Sequence, residues 1–253
     1  MTNQIRQHLA ALKAAGIEFI PRPTRSTAVE VPFEHVAVPE PAAASGPAPG
    51  APAPPSADSP DGRRLALQLL AKEIEPCSKC PELFSTRTQT VFGVGKIEPE
   101  ICFVGEAPGG DEDRQGEPFV GAAGQLLNKI IAACGFQRDE VYICNILKCR
   151  PPSNRTPAPD ECENCRGYLE RQIDLVKPKA MVALGGVAAK NLLRTSTGIM
   201  KLRGKMYQYK GIPLMCTFHP AALLRNENWK RDCWEDMKTL LKELGRPIPE
   251  TRK

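Results

Sequence analysis

A three-layer α/β/α sandwich around a mostly parallel, four-stranded sheet is the fold this chain predicts, and three observations predict it. From residue 62 onward, short apolar runs alternate with longer segments whose apolar residues recur at helical spacing. The apolar runs end in polar or glycine-containing segments, which is where an open parallel sheet keeps its ligand-binding loops. The 253 residues, 42% hydrophobic and 25% charged, suffice for one sizeable core or two small ones.

The elements follow in order. Residues 63–75 read as a helix leading into a cysteine pair. Residues 101–104, Ile-Cys-Phe-Val, make the first buried strand, and residues 124–134 a helix with Leu127, Ile130, Ile131 and Cys134 on one side. A strand over 141–147 and a helix over 159–176 come next. Strand 180–184, helix 187–193, strand 213–218 and helix 227–244 complete the alternation.

Three regions are expected along the chain. Residues 1–36 form an arm in which Ile5, Leu9, Leu12 and Ile17 fall at roughly helical spacing. An isolated helix of that length is marginal in water, so the arm is either a frayed, self-docked tail or a segment that binds an unknown protein partner. Residues 37–61 hold Pro39, Pro41, Pro47, Pro49, Pro52, Pro54, Pro55 and Pro60 among Ala, Gly and Ser, a composition with nothing to bury and expected to be a disordered tether. Residues 62–253 are the folded domain. No apolar run approaches the roughly 20 residues that span a bilayer, and residues 1–20 lack the h-region of a secretory signal, so a cytoplasmic protein without membrane contact is expected, and the lack of a second apolar stripe makes a monomer the expectation. Ten cysteines in such a compartment point to metal binding rather than disulfides.

Charge is unevenly placed. Four Lys/Arg and five Asp/Glu precede residue 61, and thirty against twenty-four follow it, so the basic excess belongs to the folded part. Residues 185–226 contain Lys190, Arg194, Lys201, Arg203, Lys205, Lys210 and Arg225 and no acidic residue. Such a run is either a solvated face or a surface for a phosphate backbone.

The polar signatures lie after the strands: residues 105–110 (Gly-Glu-Ala-Pro-Gly-Gly), Asn145 with residues 148–155, Gly185-Gly186, and His219-Pro220. Gly105 and Gly110 have P-loop spacing, but Asp111, Glu112 and Asp113 stand where a phosphate-binding lysine is needed. The loop instead presents backbone amides and carboxylates to an uncharged ligand or a water molecule. Among the cysteines, Cys77 and Cys80 are spaced C-x-x-C, Cys149 follows a strand, and Cys162 and Cys165 form a second C-x-x-C. Thiolate ligands alone do not separate zinc from an iron–sulfur cluster. Cys102, Cys134, Cys144, Cys216 and Cys233 sit in apolar runs or on helix faces as small core residues.

Residues 105–109 (Gly-Glu-Ala-Pro-Gly), 116–121 (Gly-Glu-Pro-Phe-Val-Gly), Asn145 with 148–152 (Lys-Cys-Arg-Pro-Pro), and 219–225 (His-Pro-Ala-Ala-Leu-Leu-Arg) together resemble the family 4 uracil-DNA glycosylases. The resemblance runs from about residue 75 to residue 244. It implies an α/β sandwich carrying a [4Fe-4S] cluster on Cys77, Cys80, Cys149 and Cys165, passing over Cys162. It also implies hydrolysis of the bond between uracil and deoxyribose in single- or double-stranded DNA.

The substrate then organises the site. A stacked base must be turned out of the duplex, at a cost of a few kcal/mol. The resemblance places the His-Pro loop in the minor groove, where Leu223 and Leu224 fill the gap and Arg225 meets phosphate. Phe119 offers an aromatic face to the extruded pyrimidine. Asn145 can donate to uracil O4 and accept from N3–H, an edge that cytosine presents with reversed polarity. His219 is placed near O2, where a donor stabilises the leaving anion. Gly109 and Ala107 line the base pocket. Many distant glycosylases carry Asp where Ala107 stands, so the water-positioning group is left among Glu106, Glu112 and Asn154. Two rival readings are a non-catalytic iron–sulfur or zinc module that binds nucleic acid, and a hydrolase of free nucleosides. A third, a relative that captures uracil covalently, lacks its Arg-rich, His-bearing loop here.

Overall fold

Two-residue β1 (Val94–Gly95) and β2 (Ile101–Gly105) open a six-stranded sheet in the computed structural model, which describes residue 56 and residues 58–249. The expected arm and most of the expected linker lie outside the described residues. Strands β3 (Tyr142–Asn145), β4 (Ala180–Leu184), β5 (Met206–Tyr209) and β6 (Ile212–Thr217) complete the order β1-β3-β2-β4-β6-β5. The central β3, β2, β4 and β6 are parallel, and the edge strands β1 and β5 are antiparallel to their neighbours. The expected four-stranded core is therefore present, extended by two edge strands that periodicity misses. β1 is too short to show a pattern, and β5 is mostly part-exposed, with only Tyr209 buried.

Alternate residues of the central strands serve two cores. Cys102, Val104, Cys144, Met181, Ala183, Leu214 and Cys216 face a helical layer that includes Leu67 of α1 (Pro60–Ile74), with a short α2 (Pro81–Thr86) following it in sequence. Ile101, Phe103, Ile143, Val182, Leu184 and Met215 face the opposite layer. Between β2 and β3 run α3 (Gly110–Gln115) and α4 (Ala122–Ala133), the latter burying Leu127 and Ile131 in the second core. Helix α5 (Pro159–Val176) returns Leu169, Ile173 and Val176 to the first core, joined there by Ala188, Ala189 and Leu192 of α6 (Gly186–Leu193). A single turn, α7 (Ile199–Leu202), precedes β5; α8 (Pro220–Arg225) and α9 (Trp229–Glu243) follow β6, and α9 closes the second core with Met237, Leu240 and Leu241. Each fully buried Leu of this kind contributes about 1.5–3 kcal/mol relative to exposure.

Register sets the height of the functional loops. Gly105 is paired with Asn145, and Leu184 with Thr217, so the carboxyl ends of β2, β3, β4 and β6 are level. Beyond β3 the chain still bonds across, with Ile146 N–H to the Gly105 carbonyl at 3.0 Å and Leu147 N–H to the Glu106 carbonyl at 3.1 Å. Among the described residues no helix is long and apolar enough to cross a membrane.

Candidate active site

A cavity of about 550 Å³ opens at the level carboxyl ends, lined by Glu106, Phe119, Asn145, Asn154 and His219 among others. A Cβ at Gly105 would overlap Asn145 Oδ1 and the Phe119 ring, so the absence of a side chain there creates the space between them. Asn145 is the last residue of β3; its Oδ1 is buried and, among the described residues, has no hydrogen-bond partner. An orphaned acceptor at this depth is unfavourable unless a ligand satisfies it.

Phe119 is buried yet adopts a left-handed φ of +54°, which is strained for a bulky residue. The neighbouring carboxylate holds it there. Glu112 Oε1 accepts the N–H groups of Val120 at 2.9 Å and Gly121 at 3.0 Å, while Oε2 accepts the Gly109 N–H at 3.0 Å. One side chain thus clips the loop after β2 to the loop that carries Phe119.

His219 caps α8. Its Nδ1 accepts the Ala221 N–H at 3.1 Å, which puts the ring proton of the neutral imidazole on Nε2. Burial pushes its pKa down to about 4, the Arg225 cation adds to this, and Glu112 opposes it. A neutral donor therefore persists far below physiological pH. The His219 and Phe119 ring centres lie 5.5 Å apart at 31°. Behind the loop, Phe218 stacks on Trp229 at 4.7 Å, and the guanidinium of Arg203 sits 5.2 Å from the Phe218 ring. Buried Asp236 accepts from the Thr217 hydroxyl at 2.7 Å and pairs with Arg203 at 2.9 Å. Neither Arg203 nor Asp236 is visible as a support from sequence, because α9 supplies the acid 33 residues from its partner.

The three candidates for positioning water differ in their surroundings. Glu112 is occupied by three backbone amides, as described. Asn154, also at a left-handed φ of +54°, accepts from Arg150 Nε at 2.8 Å through its Oδ1. Among the described residues Glu106 has no such partner, and burial raises its pKa above the usual carboxylate range. Ala107 and Gly109 line the cavity.

The apolar pair on α8 requires a correction. Leu223 is 1% exposed and packs with Phe218 and Cys233, so it is core and is not presented to a ligand. Leu224 is 46% exposed, and Arg225 reaches the cavity edge. A six-residue helix sends successive side chains about 100° apart, and that rotation separates the two leucines.

The basic stretch is less uniform than its sequence. Arg203 pairs with Asp236 and Lys210 with Glu170 at 3.1 Å, both acids coming from distant helices. Lys190, Arg194, Lys201, Lys205 and Arg225 are exposed.

At the other side of the β3 loop, Cys77 and Cys80 are half-buried and Cys149 and Cys165 buried. Cys149 and Cys165 lie in the first core with Cys80 packed against it, and with Cys77 three residues earlier they make up a cysteine pole. Arg87 Nη1 donates to Cys149 Sγ at 2.9 Å, and Asn164 Nδ2 approaches Cys80 Sγ at 3.5 Å. Cys162 lines a small cleft with Ile146, Asn191 and Tyr209. Cys102, Cys134, Cys144, Cys216 and Cys233 are all buried.

Comparison with known proteins agrees with this geometry. The family model of the uracil DNA glycosylase superfamily matches residues 92–238. The Type-4 uracil-DNA glycosylase of Archaeoglobus fulgidus is 43% identical over 192 residues, covering 73% of this chain and 96% of that protein. Those of Sulfurisphaera tokodaii and Thermotoga maritima are 44% and 40% identical, covering 69% and 72% of this chain and 83% and 98% of theirs. With its matched strand ends and most of its folded length shared, the chain belongs to the uracil-DNA glycosylase superfamily, and within it to the Type-4 uracil-DNA glycosylases.

Proposed function

We propose that this chain excises uracil from DNA, and the observation that carries the reading is Asn145, whose buried Oδ1 has no partner among the described residues, lining the same cavity as Phe119 and a neutral His219. Uracil N3–H satisfies that orphaned oxygen while the Asn145 amide donates to O4. Cytosine reverses both polarities and would leave the pair unsatisfied. Phe119 stacks on the extruded ring, an interaction worth about 1–3 kcal/mol by analogy with single-strand binding.

As the bond from C1′ to N1 breaks, its electron pair passes to uracil and builds charge on O2. His219 Nε2–H donates to that oxygen, and its preset orientation requires no rearrangement at the moment of reaction. The sugar becomes electron-poor and needs little nucleophile activation. Glu106, the candidate without a protein partner, orients the water and accepts its proton as the new C1′–O bond forms. Glu112 holds Phe119 in place, and Asn154 shapes the wall through Arg150. Leu224 fills the vacated stack, and Arg225 meets phosphate. Every residue in this scheme comes from one chain.

The cysteine pole fits an iron–sulfur cluster held by Cys77, Cys80, Cys149 and Cys165. Among the described residues no group of three or more His, Cys, Asp or Glu is placed to hold a metal ion. What fits the cluster is the chemistry of four cysteine donors, with Arg87 and Asn164 donating toward Cys149 and Cys80. When bound, the cluster supplies a fixed tie between the α1–α2 connection, the β3 loop and α5. Incubation with a uracil-containing oligonucleotide followed by alkali is the test. Strand scission at the uracil position is expected; an intact strand would favour the non-catalytic binding module, and a protein–DNA adduct the covalent relative.

A further inference from the structure

A second cavity, of about 530 Å³, adjoins the candidate active site, and Thr156 lines both. Its walls are α5 and α6. From α5 come Glu163 and Arg166, and from α6 Lys190 and Asn191, with Arg194 just past the last residue of that helix. Arg166 fastens the walls together, because its Nη1 donates to the Asn191 carbonyl at 3.2 Å. Its Nε pairs with Glu163 Oε2 at 2.7 Å, so the one acid among the described lining residues is neutralised in place.

Two cations are left over. Lys190 and Arg194 are exposed and, among the described residues, neither is ion-paired. Four residues apart, they share one side of the helix. α6 begins at Gly186, beside the level carboxyl ends of the strands, and a rise of about 1.5 Å per residue carries Arg194 about 12 Å from that end. Positive charges set in line, leading away from the base pocket, suit the successive phosphates of a strand. A cavity of this volume is of the size that takes a small molecule, so a duplex cannot enter it, whereas about one or two nucleotides of a single strand can. Among the described residues no aromatic side chain lines it, which leaves bases without a stacking platform and puts recognition on the backbone.

We propose that this groove holds the backbone of single-stranded DNA as it leaves the active site beside the uracil, with Lys190 and Arg194 on its phosphates. Continuity with the first cavity through Thr156 and the unpaired positive charge select this occupant. That the strand is the one carrying the excised base rests on the proposed uracil excision; that the groove binds single-stranded DNA does not.

The test uses the full chain and a labelled, uracil-free single strand of roughly 15 nucleotides, its affinity followed by anisotropy across a salt series. Lys190→Gln removes one charge, and Arg194→Asn removes the other with a residue that tolerates the left-handed φ of +50° found there. The slope of log K against log salt should lose about 0.7 in magnitude in each variant and about 1.4 in the double variant. Lys179→Gln takes the same charge from an exposed residue just ahead of β4, at the opposite end of the sheet, and should leave the slope unchanged. A blunt duplex should give wild type and double variant equal slopes. With uracil in the strand, lengthening it on one side should lower KM for the wild type, and the double variant should lose that gain. An unmoved slope in the double variant overturns the proposal, as does an equal fall in Lys179→Gln or on the duplex. A length dependence that survives in the double variant overturns the continuity with the uracil site. A wild-type protein that leaves uracil-DNA intact overturns the functional reading, while the slopes still judge the groove.

Discussion

The loops after β3 and β6 each deliver one polar side chain to the same cavity, and they are built in opposite ways. Asn145 rests on buried polar groups, with Lys148, Gln172 and Tyr142 beneath it and the cysteine pole beyond. His219 rests on aromatic and aliphatic packing, with Phe218 stacked on Trp229, Leu223 buried, and one ion pair between Arg203 and Asp236. The first support adjoins the cysteine pole, and the second is held by ordinary tertiary packing. The contrast teaches that one catalytic pocket has two independent foundations, so damage to one should leave the other standing.

The most severe break is expected from Cys149→Ala, which should abolish iron binding, lower soluble yield and eliminate excision, because ligand loss removes folding energy directly. Both tryptophans, Trp229 and Trp234, lie in α9 on the His219 side. Their emission in the surviving protein should therefore remain native, and a red-shifted spectrum would show that the foundations are not independent. Next in size, His219→Ala should lower the single-turnover rate about 100-fold to 1,000-fold while iron content and uracil-DNA affinity hold. Asp236→Ala leaves the partly exposed Arg203 without its partner and should cost about 3 kcal/mol in denaturant unfolding, with excision reduced and iron retained. Smaller again, Leu224→Ala should weaken excision from duplex DNA by about a few kcal/mol at most, and leave single-stranded substrate unaffected, since only the duplex opens a gap to fill.

The mildest test uses pH. The His219 pKa falls to about 4 in the folded chain from an ordinary value of 6.5, so the unfolded chain binds a proton that the folded chain refuses between those values. Its contribution to stability is complete above pH 6.5 and declines as pH falls toward 4. His219→Asn should flatten that decline. Excision itself should show no His219 limb between pH 8 and about 5, and should instead fall as Glu106 is protonated above the usual carboxylate range. Loss of that limb in Glu106→Gln, together with a lower rate, would sharpen the assignment of the water-positioning group.

Much of this was legible in the chain before any coordinates. The alternation of apolar runs marked all four central strands, because a strand buried on both faces reads as a continuous apolar segment. Helix 159–176 matched α5 in both bounds, with Pro159 at its first turn. The level placement of Glu106, Asn145 and His219 followed from strand ends alone. Edge strands were missed because short, half-exposed segments carry no period.

What the sequence by itself determined was local and periodic: the strand and helix alternation, the loops that reach the cavity, and the cysteine spacing that made a metal pole expected. What only the tertiary structure decided was partnership. It turned Leu223 inward and Leu224 outward, set Cys162 beside Ile146 and Asn191, neutralised Arg203 with an acid from α9, and engaged Glu112 with three backbone amides. The reason is physical. Burial and pairing depend on which surfaces meet after the chain folds back, and residues far apart in sequence leave no periodic trace of that meeting.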